Sequence, residues 1–192
     1  GFVVFKLDNR GTPRRGKAFE TALFHRLGSV EVEDQIAGAR WLGARPDVDG
    51  ARIGIYGWSY GGYMAARCLL LAPDRFRVAV AGAPVTDWDG YDTHYTERYM
   101  GTPQEDAEAY KASSLLPLAS RLERPLLIVH GMVDENVHFR HTARLLNALN
   151  QARRRYELLV FPEERHLPRR PEDREYLERR LAGFLEQALA AP

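Results

Sequence analysis

The sequence lacks the features that mark several classes of protein. It contains a single cysteine, Cys68, which excludes a framework of disulfide bonds within the chain. No apolar run approaches the roughly 18 residues that a membrane-spanning helix requires. Neither sign of charge is in clear excess, because 27 basic residues stand against 26 acidic ones. No charged arm or tail therefore indicates a nucleic acid or an anionic membrane as a partner.

The length and the hydrophobic content predict one domain. A chain of 192 residues, of which 45% are hydrophobic, can bury a substantial core, and it shows no repeat, low-complexity tract or linker. The first residues, GFVVFKLDNRG, begin inside an apolar run with neither an initiator methionine nor a leader peptide. We therefore expect residues 1–192 to be part of a longer polypeptide. The sequence of these residues does not indicate a cellular location.

Short apolar runs predict the strands of a parallel sheet. They lack strict alternation of polar and apolar residues, which is typical of strands that are covered on both faces. Segments between these runs have apolar residues at the spacing of one helix face, for example Val32, Ile36 and Ala39. Strand and helix alternate, so we predict an α/β domain with a mostly parallel sheet flanked by helices. The predicted strands lie at residues 2–7, 52–56, 78–81, 126–129 and 156–161.

The segment at residues 85–125 interrupts this alternation. It is long for a simple crossover between strands and is rich in aromatic residues. We predict that it contains short helices and a loop. Taken without further information, its aromatic residues favour a small satellite core.

Residues 57–61 fit the pattern G-x-S-x-G, between the predicted strand at 52–56 and a helical run. A serine on a sharp turn from strand to helix is exposed for nucleophilic attack. We expect Gly57 and Gly61 to be required, because a side chain at either position would collide as the backbone reverses. The backbone N–H of Tyr60 would be one oxyanion donor at the helix N-terminus. The alternative is that Ser59 only caps the helix.

A serine nucleophile needs a base and a group that orients the base. In this type of fold they follow in the order Ser, Asp, His, each just beyond a strand. Asp134 follows the strand at 126–129, and His166 follows the strand at 156–161. Among neighbouring acidic residues and histidines, these two are favoured by position, since open parallel sheets place their sites at the carboxyl ends of strands.

Several longer motifs resemble the catalytic domain of the prolyl oligopeptidase family, most closely its dipeptidyl peptidase IV branch. The resemblance runs nearly end to end, with the motifs in the family's order and at its separations. It implies a serine peptidase on an α/β-hydrolase fold that is missing its first strands. The motifs are DNRGTPRRGKAFE, LGSVEVEDQ, GWSYGGYM, APVTDWDGYDTHYTERYMG and HGMVDENVHF.

The resemblance also implies the reaction and its residues. The enzyme would release N-terminal dipeptides with proline, or less well alanine, in the second position, by forming an acyl-enzyme on Ser59. His166 would be the general base and acid, and Asp134 would hold the imidazole tautomer. A compact, apolar proline ring suits a pocket with aromatic walls. The pocket would be lined by Tyr60, Val85, Trp88, Tyr91, Tyr95 and Val137, and Asn136 would hydrogen-bond a substrate carbonyl.

The resemblance places parts of the site outside this chain. In relatives, an upstream tyrosine hydroxyl supplies the second oxyanion donor, and a β-propeller supplies paired glutamates that bind the substrate's amino terminus. The hydrolase sheet also has a strand between the run at 2–7 and the strand that leads to Ser59. We therefore expect residues 1–192 to form a partial α/β-hydrolase domain. The chain departs from the family pattern at Leu167 and Pro168, where a glycine usually follows the catalytic histidine.

Peptide substrates are the expected partners, while no nucleic acid, membrane span, metal or cofactor is predicted. His138 and His141 have a spacing that could bind a metal on a helix, but no cysteine or carboxylate cluster completes such a site. The sequence does not decide whether the protein forms a homodimer. The alternative functions are an acylaminoacyl peptidase or carboxylesterase of the same fold, a fragment inactive in isolation, and a non-catalytic binding module.

Overall fold

The centre of the molecule is a sheet in which every strand pair is parallel. The computed structural model describes residues 1–190. The strands lie side by side in chain order, so each connection returns over the sheet to the next position. The predicted α/β fold with a parallel sheet is thereby confirmed. The strands are β1 (Gly54–Trp58), β2 (Val78–Gly82), β3 (Leu126–Gly131) and β4 (Glu157–Phe161).

Helices precede, connect and follow these strands. The helix predicted around Val32, Ile36 and Ala39 is present, and the segment at 85–125 contains short helices as predicted. Within residues 1–190, no helix is long and apolar enough to cross a lipid bilayer. The helices are α1 (Lys17–Glu20), α2 (Val30–Gly43), α3 (Tyr60–Leu71), α4 (Thr93–Met100), α5 (Ala107–Ser113), α6 (Arg140–Gln151) and α7 (Pro171–Ala190), with 3₁₀ turns at Thr21–Leu23, Trp88–Gly90 and Leu116–Arg121.

The two central strands, β2 and β3, are buried on both faces, which explains why they show no polar alternation. Val78 and Val80 of β2 belong to the core cluster beneath α7. The intervening Ala79 and Ala81 belong to the larger cluster that includes α3. Successive side chains of a strand point to opposite faces, so β2 contributes to both clusters. The small alanine side chains leave room for α3 to pack closely on the sheet that carries the site.

The prediction of a strand at residues 2–7 is wrong. This run has no strand pairing, and several of its side chains are exposed, including Val4 at 79%. A cavity of about 940 Å³ is lined by this run on one side and by Gly54, Ile55 and Tyr56 of β1 on the other. A strand needs a neighbour about 5 Å away to satisfy its backbone hydrogen bonds, and within residues 1–190 no strand pairs with this run.

Candidate active site

Ser59 occupies the turn that joins β1 to α3. Its backbone has φ 60° and ψ −117°, a conformation that non-glycine residues rarely adopt. The turn is held by hydrogen bonds from Ser59 N–H to Gly82 O at 2.8 Å and from Tyr63 N–H to Ser59 O at 3.0 Å. The Ser59 side chain makes no capping hydrogen bond with the helix. The alternative that Ser59 serves only as a helix cap is therefore wrong.

The glycines around Ser59 do not share one role. A Cβ at Gly57 would lie 2.2 Å from Gly61 O, and a Cβ at Gly62 would lie 2.3 Å from Gly82 O. Within residues 1–190, a Cβ at Gly61 would meet no atom within 4 Å. The expected collision at Gly61 is therefore wrong, because this residue faces the cavity beside β1. Gly57 lets α3 start directly after the strand, and Gly62 lets α3 approach β2.

We expect Gly57→Ala to destabilise the protein by about 3 kcal/mol or more, because its new Cβ would overlap backbone atoms that cannot move independently. Gly61→Ala is the matched control. It should be neutral or stabilising by up to about 1 kcal/mol, because alanine is the better helix former. Urea unfolding of both variants measures the difference. Equal losses at the two positions would contradict this account of the turn.

The backbone N–H of Tyr60 lies where an oxyanion donor is expected. Tyr60 is the first residue of α3, so its N–H has no carbonyl partner within the helix. The partial positive charge of a helix N-terminus favours a negative oxygen at this point. The Tyr60 amide can therefore stabilise an oxyanion that forms next to Ser59.

Asp134 and His166 are joined by a short hydrogen bond. His166 Nδ1 lies 2.7 Å from Asp134 Oδ2, and the Asp134 side chain is fully buried. The other oxygen, Oδ1, accepts from the backbone N–H groups of Asn136 and Val137, each at 2.9 Å. The two backbone bonds fix the carboxylate in the turn after β3. The bond to Oδ2 orients the imidazole ring, with Nδ1 toward the carboxylate. Within residues 1–190, His166 Nε2 has no hydrogen-bond partner and can accept a proton from a second group.

The electrostatics of Asp134 keep it ionised. Burial alone would raise its pKa, but hydrogen bonds from His130, His166 and the backbone N–H of Asn136 outweigh burial and hold the pKa well below its usual value. An ionised carboxylate requires the proton of the neutral imidazole to sit on Nδ1. The tautomer needed for a general base at Nε2 is therefore the one that this contact stabilises.

The loop that carries His166 lies against the turn that carries Ser59. The indole N–H of Trp58 donates to His166 O at 2.6 Å. In the part of the chain that the structure describes, no hydrogen bond joins Ser59 Oγ to the His166 imidazole. Such bonds are often long without substrate and tighten in the substrate complex. The structure thus brings Asp134 and His166 into contact and places Ser59 on the neighbouring turn.

His130 belongs to this site although its sequence position alone did not assign it a role. It is fully buried, and its Nε2 lies 3.1 Å from Asp134 Oδ2 and 2.8 Å from Val137 O. Because the Val137 carbonyl can only accept, Nε2 carries the proton, and Nδ1 accepts from the Thr142 hydroxyl at 2.7 Å. His130 thus supports Asp134 at Oδ2, the same oxygen that His166 contacts. The signal in the sequence is its place at the end of β3, four residues before Asp134.

Gly131 and Glu164 shape the histidine loop. A Cβ at Gly131 would lie 2.2 Å from Arg165 O and 2.3 Å from Glu164 O, so only glycine lets this loop reach the end of β3. Glu164 is buried and accepts from the backbone N–H of Arg169 at 2.8 Å, the main cause of its lowered pKa. Leu167 is exposed and Pro168 is buried. The loop therefore holds the His166 imidazole against Asp134 with leucine, and not glycine, directly after the histidine.

The residues expected to line a pocket form a cluster of rings beside Ser59. The centroid of Trp88 lies 5.4 Å from that of Tyr60, 5.9 Å from that of Tyr91 and 6.2 Å from that of Tyr95. Val85 and Val137 are buried in the same core. The cluster is thus continuous with the core, and Tyr60, Tyr91 and Tyr95 keep partly exposed faces.

Asn136 lies at the edge of this cluster. Its Oδ1 accepts from the Tyr91 hydroxyl at 2.9 Å, and the residue is exposed. Since Oδ1 is occupied, the Nδ2 group is turned outward as a donor. An amide donor in this position can bind a carbonyl group of a ligand.

The comparisons with known proteins agree with this architecture. The model of the group described as "Prolyl oligopeptidase family" matches residues 1–191. Dipeptidyl peptidase 8 of Homo sapiens is 45% identical over 195 residues, which cover 100% of this chain and 22% of that protein. Dipeptidyl peptidase 4 of Felis catus is 36% identical over 193 residues, which cover 99% of this chain and 25% of that protein.

A solved structure has the same fold. The crystal structure of Porphyromonas gingivalis dipeptidyl peptidase 4 superposes with a TM-score of 0.91 at 43% identity, covering 94% of this chain and 26% of that chain. The predicted α/β-hydrolase fold is confirmed by this agreement. The chain spans about a quarter of the length of these relatives.

Proposed function

The chain belongs to the prolyl oligopeptidase family, and from this membership and the site around Ser59 we propose that it carries the catalytic centre of a serine dipeptidyl peptidase. The proposed enzyme releases dipeptides from the N-termini of peptides with proline or alanine in the second position. The observation that carries the proposal is the 2.7 Å contact between His166 Nδ1 and the buried Asp134, beside the strained turn of Ser59.

In the proposed mechanism, Ser59 Oγ attacks the carbonyl carbon of the scissile bond while His166 Nε2 takes the hydroxyl proton. Asp134 stabilises the imidazolium that forms. The backbone N–H of Tyr60 stabilises the oxyanion of the tetrahedral intermediate. His166 then donates the proton to the leaving amine, which leaves the dipeptide as an ester on Ser59. Water, activated by His166, hydrolyses this ester and frees the dipeptide and the serine.

Substrate selection is assigned to the aromatic cluster. The rings of Tyr60, Trp88, Tyr91 and Tyr95 offer apolar faces with few polar groups, which suits a proline ring that has no N–H to satisfy. Asn136 Nδ2 would donate to a carbonyl of the bound dipeptide. Alanine would fill less of the same pocket and lose apolar contact, so we propose that it is the poorer second residue.

We also propose that polypeptide outside residues 1–192 completes the site. The cavity beside β1 is lined by Tyr60 and Gly61 next to the candidate nucleophile, and the chain covers 22% of human dipeptidyl peptidase 8. The additional polypeptide would supply further sheet strands, the second oxyanion donor and the propeller glutamates that bind the substrate's amino group.

The substrate class is tested by blocking that amino group. We expect the full-length protein to hydrolyse a glycyl-prolyl amide, and N-acetylation of the substrate to lower kcat/KM by about 100-fold, because charged hydrogen bonds at the amine are lost. The measurement is the rate of amide release from both substrates at equal concentrations. Equal rates, or faster cleavage of the acetylated form, would favour an acylaminoacyl peptidase or a carboxylesterase instead.

A further inference from the structure

Glu31 is a buried carboxylate outside the residues discussed so far. It lies in the first turn of α2 and is 0% exposed. Its Oε1 accepts from the Gly28 N–H at 2.9 Å and from the Tyr60 hydroxyl. Its Oε2 has no hydrogen-bond partner within residues 1–190. Burying a carboxylate costs free energy of desolvation, which its hydrogen bonds must offset. The hydrogen bond from Tyr60 is one of the two that Glu31 accepts.

Tyr60 joins Glu31 to the candidate site. Its backbone follows Ser59 and provides the candidate oxyanion donor, while its ring lies against Trp88 in the aromatic cluster. Burial raises the pKa of Tyr60 well above its usual value, with a further contribution from the charge of Glu31. The hydroxyl therefore keeps its proton and donates to Glu31. The ring is held at both ends, by the nucleophile turn and by the carboxylate.

Glu31 is itself fixed by a rigid turn. Gly28 has φ +74°, and a Cβ there would lie 2.0 Å from the Tyr63 hydroxyl. Arg67 Nε donates to Gly28 O at 2.6 Å. The Tyr63 hydroxyl lies within hydrogen-bond distance of two carbonyl oxygens, Leu27 O at 3.0 Å and Ser113 O at 2.8 Å. These contacts tie the start of α2 to the middle of α3. The carboxylate thus accepts the Tyr60 hydroxyl at a fixed position relative to Ser59.

We propose that Glu31 is a positioning residue that holds the Tyr60 ring and thereby sets the preference of the pocket for proline over alanine. The inference rests on the proposed function. The hydrogen bond to Glu31 fixes the far end of the ring. When either its acceptor or its donor is removed, the ring is no longer fixed there and would turn away from the pocket wall. Proline would lose apolar contact that alanine never makes. The ratio of the two specificity constants should therefore fall.

The test compares variants of the full-length protein on a prolyl and an alanyl dipeptide amide. Glu31→Leu removes the acceptor, Tyr60→Phe removes the donor, and Glu31→Gln keeps a carbonyl acceptor. We expect the ratio of kcat/KM for the prolyl over the alanyl substrate to fall about tenfold in Glu31→Leu and in Tyr60→Phe, and to stay within about twofold of wild type in Glu31→Gln. Glu33→Leu, at an exposed position two residues along α2, should leave the ratio unchanged.

The double variant separates positioning from general structural support. If Glu31 acts through Tyr60, then Glu31→Leu changes the ratio no further in the Tyr60→Phe background. An equal fall in both backgrounds, or a lower melting temperature with an unchanged ratio, would overturn the inference. Should Glu31→Leu fail to fold, Tyr60→Phe decides, since it breaks the same hydrogen bond with Glu31 in place, and an unchanged ratio there overturns the inference. Wild-type protein that cleaves neither substrate would instead contradict the proposed function.

Discussion

Replacing Ser59 with alanine should abolish labelling by a fluorophosphonate and lower kcat on a glycyl-prolyl amide by about 10⁶-fold. The reason is local: no other hydroxyl lies on the turn between β1 and α3, and the helix does not use this one as a cap. Alanine has the same Cβ, so the turn itself should be retained. Labelling and kcat are measured on the full-length protein, with circular dichroism as the check on folding.

Ser120→Ala is the matched control, because Ser120 is exposed on the 3₁₀ turn Leu116–Arg121 and should affect neither readout. A glycine at position 59 adds a test of the backbone. Glycine adopts φ 60° without strain, so Ser59→Gly should be more stable than Ser59→Ala by about 1–3 kcal/mol while being equally inactive. Labelling that persists in Ser59→Ala would assign the nucleophile to another residue.

The candidate triad could be predicted from the sequence because each residue follows its strand in a recognisable way. G-x-S-x-G between a strand and a helix predicts the turn at Ser59, and β1 does lead directly into α3. Asp134 and His166 were found from their places after the apolar runs that form β3 and β4. Parallel strands bring their carboxyl ends to one edge, so order along the chain was enough to predict the contact between Asp134 and His166.

The supporting residues could not be predicted, because their roles depend on contacts between distant parts of the chain. Glu31 looks like either of the two acidic residues in the first turn of α2, and its burial and its contact with Tyr60 distinguish it. Trp58 holds the His166 backbone across a separation of 108 residues. The run at residues 2–7 has the composition of a strand, but local preference cannot supply the neighbouring strand with which it would pair.

Asp134→Asn should lower kcat by about 10⁴-fold while the protein stays folded. The backbone N–H groups of Asn136 and Val137 need an acceptor, so they hold the new side chain with Oδ1 toward them. The Nδ2 group of the asparagine then faces His166 and donates to Nδ1. This contact moves the imidazole proton to Nε2, and a protonated Nε2 cannot accept the proton of Ser59.

The control for this substitution is Glu135→Gln, which removes the same charge from the next residue. Glu135 is exposed and paired with Arg165 at 2.5 Å, and exposed pairs contribute little, so kcat should change by no more than about twofold. Nitrogen-15 chemical shifts of His166 report which ring nitrogen carries the proton in each variant. If Asp134→Asn kept more than about one tenth of kcat, or left the proton on Nδ1, then orientation of the tautomer by Asp134 would not be the source of its effect.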